Sequence, residues 1–429
     1  MKTQLGNNGS FTILKGWILY IVLFALPLLT GCRFINRDTL SNPNNHQPIK
    51  QNNNQTETAT VPFATEVFNI ENYPIMIQRC TIETDRNLIN LPTDSELIGV
   101  RYDGEKSVLS KLTSDFSWQV LPNTEHTFPL GFSPNGEWLA LVIRHDGQND
   151  LLRIIDATNT NTEINGEYRL NSNSRWFNDQ YLILIPEDRS KLKYLLNPFT
   201  GETYPFPNIP NQQIDARFAD VYWFDLQGKQ VVYLETSESF RSFYSSERFV
   251  IYKLETETKI ETDLNWVISP PAWFPNGNYL VVSSVGSMHT NRQIPSQEIY
   301  IFNALIGETR QISNFFELFG GVFIQNLTWS PNGKYLLFEL DLIDDSLPES
   351  FEPSLYLLDL QSWYIFDLCL NEVSESSYHW SSDEQMVAWH SESGDLYLLE
   401  PETGRLFRQS APQAGIIGWF ASQIQPTTK

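Results

Sequence analysis

Apolar and polar positions along this 429-residue chain alternate in short blocks. After residue 31 no long stretch carries the i, i+3, i+4, i+7 spacing of an amphipathic helix. Short apolar runs sit instead between turns rich in Asn, Asp, Gly, Ser and Pro, which is the pattern of β-strands. The clearest unit is Trp329-Ser330-Pro331-Asn332-Gly333-Lys334-Tyr335-Leu336-Leu337-Phe338. An aromatic ends one strand, Pro and Asn-Gly supply the dihedrals of a tight turn, and a buried strand follows at once.

Versions of this unit recur. They begin at Phe132-Ser133-Pro134-Asn135-Gly136, Trp176-Phe177-Asn178-Asp179, Trp223-Phe224-Asp225-Leu226-Gln227-Gly228, Trp273-Phe274-Pro275-Asn276-Gly277 and Trp380-Ser381-Ser382-Asp383. Taken in order with the Trp329 copy, the starts lie 44, 47, 50, 56 and 51 residues apart, so the chain is a repeat array. Each copy has a second half, an apolar strand ending in an acid or Asn: Ile155-Asp156, Leu196-Asn197, Leu254-Glu255, Phe302-Asn303, Leu358-Asp359 and Leu399-Glu400. The repeating unit is therefore strand 1 with its aromatic, a turn, strand 2, a loop, strand 3, a turn and strand 4.

Aromatic-Ser-Pro-Asn-Gly followed by a Leu-Tyr-Leu-Leu-Asp-type strand and a Thr-Gly turn resembles the TolB-like, WD-repeat-like (PD40-type) β-propeller family, over about residues 93–424. The resemblance implies an all-β protein of four-stranded antiparallel blades around a channel. It is nearly silent on function. Gly415-Ile416-Ile417-Gly418-Trp419-Phe420 reads as a strand 1 with no blade after it. Residues 96–102, 106–111 and 116–121 read as strands 2, 3 and 4 with no strand 1 before them. Joined, they complete a seventh blade and remove two exposed sheet edges. Seven blades are expected, and six if residues 93–121 are irregular. The motif aromatics Phe132, Trp176, Trp223, Trp273, Trp329, Trp380 and Trp419 are expected in the core, each contributing roughly 2–3 kcal/mol on burial.

The amino terminus reads as an address. Lys2 and Lys15 precede an apolar run, Gly16 to Leu29, too short for a comfortable membrane span but suited to a signal peptide. Leu29-Thr30-Gly31-Cys32 resembles the lipobox of bacterial lipoproteins. That resemblance implies removal of residues 1–31 and lipidation of Cys32, with anchoring on the extracytoplasmic face of a membrane. Residues 32–61, rich in Asn, Gln, Thr and Pro, read as a tether without a core of their own. Residues 62–92 form an N-terminal extension before the propeller. An exported compartment permits a Cys80–Cys369 disulfide. The sequence leaves their pairing open against two buried thiols.

The formal charge of −22 argues against nucleic acid as a partner. No Gly-x-Ser-x-Gly, phosphate loop, His-Glu-x-x-His or Cys-x-x-Cys appears, and no cofactor or metal is expected. Loop lengths say more. From motif aromatic to the acid ending strand 3 the six copies count 24, 21, 32, 30, 30 and 20 residues. Copies three to five therefore enlarge the same rim, through Thr236–Phe249, Val285–Gln297 and Asp341–Pro353. Candidate partner-binding residues are Phe240, Arg241, Phe243, Tyr244, His289 and Arg292, with Phe315, Phe316 and Phe319 in an apolar inter-blade segment on that rim. The expected function is binding or scaffolding of a protein, peptide or cell-envelope partner. The alternative is a propeller enzyme of glycan lyase or hydrolase type with its site at the channel mouth.

Overall fold

The computed structural model describes residues 72–103, 106–144, 149–158, 161–166, 169–188, 190–210, 223–235, 248–265, 269–288, 295–343, 353–371, 377–391, 393–410 and 414–421. The leader, Cys32 and the tether lie outside them. Two short strands come first, β1 (Ile75–Gln78) and β2 (Ile82–Glu83), then β3 (Ser95–Asp103), β4 (Lys106–Leu112) and β5 (Trp118–Val120). Blade 1 is β6 (Thr127–Phe132), β7 (Leu139–Ile143), β8 (Leu151–Ile155) and β9 (Asn161–Asn165). Blade 2 is β10 (Arg175–Asn178), β11 (Tyr181–Leu184), β12 (Tyr194–Leu196) and β13 (Thr203–Pro205). Blade 3 is β14 (Trp223–Phe224), β15 (Gln230–Glu235), β16 (Arg248–Lys253) and β17 (Thr258–Asn265). Blade 4 is β18 (Ala272–Trp273), β19 (Tyr279–Met288), β20 (Pro295–Asn303) and β21 (Thr309–Gln311). A helix, α1 (Phe315–Phe319), leads to blade 5: β22 (Gly321–Trp329), β23 (Tyr335–Ile343), β24 (Ser354–Asp359) and β25 (Tyr364–Asp367). Blade 6 is β26 (His379–Trp380), β27 (Val387–His390), β28 (Asp395–Glu400) and β29 (Arg405–Ser410), and β30 (Ala414–Ala421) ends the described chain.

These strands make a seven-bladed β-propeller. β30 pairs antiparallel with β3, Ser95 opposite Ala421 and Arg101 opposite Ala414, so blade 7 takes one strand from the C-terminal end and three from the N-terminal end. The core is a set of seams between blades. Val281, Ile299, Ile324, Leu336 and Phe338 fill the seam of blades 4 and 5; Leu337, Leu357, Trp389 and Leu399 fill the next.

The motif aromatics hold the blades to one another as well as filling space. Trp176, Trp273, Trp329 and Trp419 each donate their indole N–H to a first-strand carbonyl of the preceding blade, at Gly131, Trp223, Ala272 and His379, over 2.9–3.2 Å. First strands therefore neighbour each other around the axis. In blade 3 the equivalent position is Phe224, not Trp223 as the sequence alignment has it. Phe224 lies opposite Val231 as Trp273 lies opposite Leu280. Trp223 matches the carbonyl-presenting position, one residue earlier, and the Phe224 side chain has no N–H to donate. The residue after the aromatic closes the turn. Ser133, Ser330 and Ser381 hydroxyls accept the amide five residues on, and Asp225 Oδ1 accepts the Gln230 amide in the same place.

The N-terminal extension is not a bare lead-in. β1 adds parallel to β25 and β2 adds parallel to β29, so residues 72–92 form a belt over the outer strands of blades 5 and 6. Cys80 and Cys369 are disulfide-bonded between the two, with Cα atoms 4.8 Å apart. The bond closes a loop of 289 residues, and chain entropy assigns such a closure about 5–6 kcal/mol as an upper figure. Cys369→Ser is expected to lower the thermal midpoint by several degrees; a midpoint equal to wild type would show that the belt holds itself.

Candidate functional site

On the rim of the strand 2–3 loops the second strands of blades 4 and 5 are long, as is β3 of blade 7 with 9 residues. β19 has 10 residues and β23 has 9, against 4 in β11 and 4 in β27. The sequence reads Val285–Gln297 and Asp341–Pro353 as loops. In the structure their bases are strand: Met288 pairs with Pro295, and Gly321 pairs with Ile343. The alternation there is broken by Ser, Gly and Asp, which hid the ladder from a pattern reading. The candidates Phe240, Arg241, Phe243, Tyr244, His289 and Arg292 lie outside the described residues.

The segment read as an apolar connection forms α1. The cause is a buried carboxylate in the neighbouring strand. Glu298, 2% exposed, accepts the Phe315 and Phe316 amides at 2.9 and 2.8 Å and the Ser313 hydroxyl. Ser313 Oγ accepts the Ile299 amide in turn. Two of the amides that a helix start leaves unpaired are satisfied, and a negative charge sits where the peptide dipoles favour it. Gln297 Oε1 accepts the Ile324 amide at 2.6 Å and ties blade 4 to the first strand of blade 5. Phe315 is fully buried against Phe338, so it anchors the helix and offers nothing to a partner. Phe316 and Phe319 are half-buried, and Leu318 is exposed. Glu298→Gln is expected to cost about 2 kcal/mol and to raise amide exchange first at Phe315 and Phe316. Uniform exchange across the blade would contradict the capping role.

A second cluster lies in the seam of blades 5 and 6, beside the first strands. Glu339, 1% exposed, accepts the Tyr378 hydroxyl at 2.5 Å and the Gln325 side-chain amide at 3.1 Å. Burial and the Glu339 charge push the Tyr378 phenol well above its usual range, so it stays a donor. Tyr378 rests on Trp389, which stacks on Tyr397. Asp341, two residues along β23 and on the same face, has its pKa raised by burial. Two first strands carry exposed aromatics, Phe323 in blade 5, and Phe128 in blade 1 with the Arg144 guanidinium 5.0 Å above its ring. Sequence reasoning missed Glu339 and Glu298. Glu339 carried a signal, since it interrupts an apolar run, Phe338-Glu339-Leu340, whereas Glu298 follows Ser296-Gln297 at the polar start of its strand and carried none.

His379 and His390 do not join this cluster. They face the seam of blades 6 and 7, with His379 beside Gly418. Burial lowers both to about 4, with the neighbouring His390 as a second cause at His379. The ordinary imidazole value of 6.5 applies once the chain unfolds. As pH falls through the window from 6.5 toward 4, the unfolded chain takes up protons that the fold refuses, so stability drops there. The double variant His379→Gln, His390→Gln should flatten the melting profile across that window, while an unchanged acid slope would assign it to carboxylates. Among the described residues no group of His, Cys, Asp and Glu is arranged to hold a metal ion.

No protein-family profile and no curated protein matches the chain. Solved structures do. Its structural neighbours are β-propellers. TolB from Acinetobacter baumannii is 11% identical with a TM-score of 0.41, over 75% of this chain and 82% of that one. An oligogalacturonate lyase in complex with manganese is 14% identical, TM-score 0.46, over 76% and 85%. The β-propeller domain of the Trilobed protease from Pyrococcus furiosus is 10% identical, TM-score 0.46, over 81% and 98%. At these identities the likeness concerns the fold alone.

Proposed function

We propose that the protein is a lipid-anchored, extracytoplasmic binding or scaffolding module that engages a protein, peptide or envelope partner on the rim of blades 4 and 5. The observation that carries this is α1, pinned by Glu298 beside two long hairpins: a pre-organised platform loses little entropy on binding. The Cys80–Cys369 bond supports an oxidising, exported compartment, and the sequence supports Cys32 as the anchor. The decisive experiment is a crosslinking pull-down from native envelopes, comparing wild type with a variant shortened within residues 289–294 and 344–352. Loss of one partner from the shortened variant is expected. Equal recovery from both would remove the rim from the proposal.

A second reading has its own observation, the buried Glu339–Tyr378 pair in the seam of blades 5 and 6. A carboxylate beside a neutral phenol fits general acid–base work on a glycan. Turnover of envelope polysaccharide by wild type but not by Glu339→Gln would favour it; equal silence from both favours the binding module.

A further inference from the structure

Among the described residues fourteen large apolar side chains stand exposed, and their placement is uneven. Tyr73, Ile75, Ile77, Ile82 and Leu88 fall within the belt, and Val120 lies on β5, the outer strand of the next blade. Single exposed apolar residues are ordinary, whereas a run of them along one wall is not. The alternation of β1 sets the direction. Met76 packs onto the core of the blade 4 and 5 seam, so Ile75 and Ile77, on either side of it, take the other face of β1, where they are 59% and 37% exposed. Exposed arginines flank the stripe at Arg86 and Arg405, the latter donating to the Leu88 carbonyl at 3.2 Å. Arginine stems beside aliphatic side chains suit a boundary between water and hydrocarbon.

Two further observations choose the occupant. The outer wall of a closed ring curves outward, so it offers no groove for a peptide or helix. The chain also arrives here: the Asn72 carbonyl accepts the Trp363 indole N–H of blade 5, and everything before residue 72 leads to this wall. We infer that the outer wall of blades 5 to 7 rests on a lipid bilayer surface, with the belt isoleucines at the acyl boundary and the ring standing on its edge. The inference rests on the reading of an N-terminal membrane attachment. A flexible tether over residues 32–61, as the sequence reads them, would span roughly 30 Å r.m.s., short enough to hold even a weakly apolar wall at the surface. The rim of blades 4 and 5 is then presented beside the membrane rather than toward it.

The test uses the full chain reconstituted in phosphatidylethanolamine–phosphatidylglycerol vesicles. An environment-sensitive thiol probe is placed by Leu88→Cys on the belt or by Leu305→Cys in the strand 3–4 turn of blade 4, off the belt, and nitroxide-labelled lipid is the quencher. Quenching at position 88 at least twofold above that at 305 is expected, falling to the 305 level when Ile75→Ser and Ile82→Ser are added. Equal quenching at both positions overturns the inference, as does protection of position 88 by self-association without vesicles. The unsubstituted chain reports separately on the anchor. Probe uptake there means a free Cys32 thiol and ends the lipidation reading, while the contrast between positions 88 and 305 still judges the wall.

Discussion

Removing residues 413–429 is expected to abolish cooperative unfolding of the whole propeller, not only of blade 7. The deletion takes β30, which supplies the first strand of that blade and both of its neighbouring seams. Trp419 and Phe420 are 5% and 2% exposed, and each loses roughly 2–3 kcal/mol of burial. The Trp419 indole bond to His379, the Phe132–Phe420 edge contact at 4.8 Å and the Ala421 amide bond to the Gly136 carbonyl go with them. β3 would then present an unpaired edge. The sum rivals the 5–15 kcal/mol that a whole domain has in hand. Near-ultraviolet circular dichroism and calorimetry read the result, and an unchanged midpoint would mean that the ring is stable as an open array.

The second large effect comes from one methyl group. Gly333 has φ 74°, and a Cβ there would stand 2.1 Å from Phe274 Cζ of the preceding blade. Gly228 over Phe177 repeats the arrangement at 2.5 Å. Gly333→Ala therefore meets dihedral strain and overpacking together, an expected loss of about 2–4 kcal/mol. Gly201→Ala separates the two. Its φ is 75° with nothing within 4 Å, so it carries the dihedral share alone. Adding Phe274→Leu to Gly333→Ala should recover the steric share. Equal losses in Gly333→Ala and Gly201→Ala would remove the blade contact from the explanation.

The repeat was legible because a tight turn needs particular residues in a particular order. Pro, Asn and Gly between an aromatic and an apolar run fixed each strand 1–2 hairpin, and the orphan strands at either end gave the closure. Where the turn chemistry drifted the register drifted too. Asp225 does the work of Ser330 in blade 3, with Leu226 and Gln227 where other copies carry Pro and Asn, so the pattern points to Trp223 where the structure has Phe224. The belt was hidden for another reason. Its strands are short, one face of β1 is apolar toward solvent, and parallel pairing to β25 lies 289 positions from Asp367 for Gln78. No local pattern encodes a partner that distant. The buried acids were hidden because repeats direct attention to what recurs. Glu298 and Glu339 occur once each, and their roles depend on which blades meet.

The belt also decides how the ring answers a pull. Tension entering through residue 72 runs along β1 and reaches Cys80. There the disulfide diverts it into Cys369, just past β25, before it reaches β2 or β3. The strand that seals the ring against β30 is thereby out of the force path. With the bond reduced, the same pull would pass to β2 and then peel β3 from its partner. A chain held by its N-terminal end could thus be tugged repeatedly without its ring being opened.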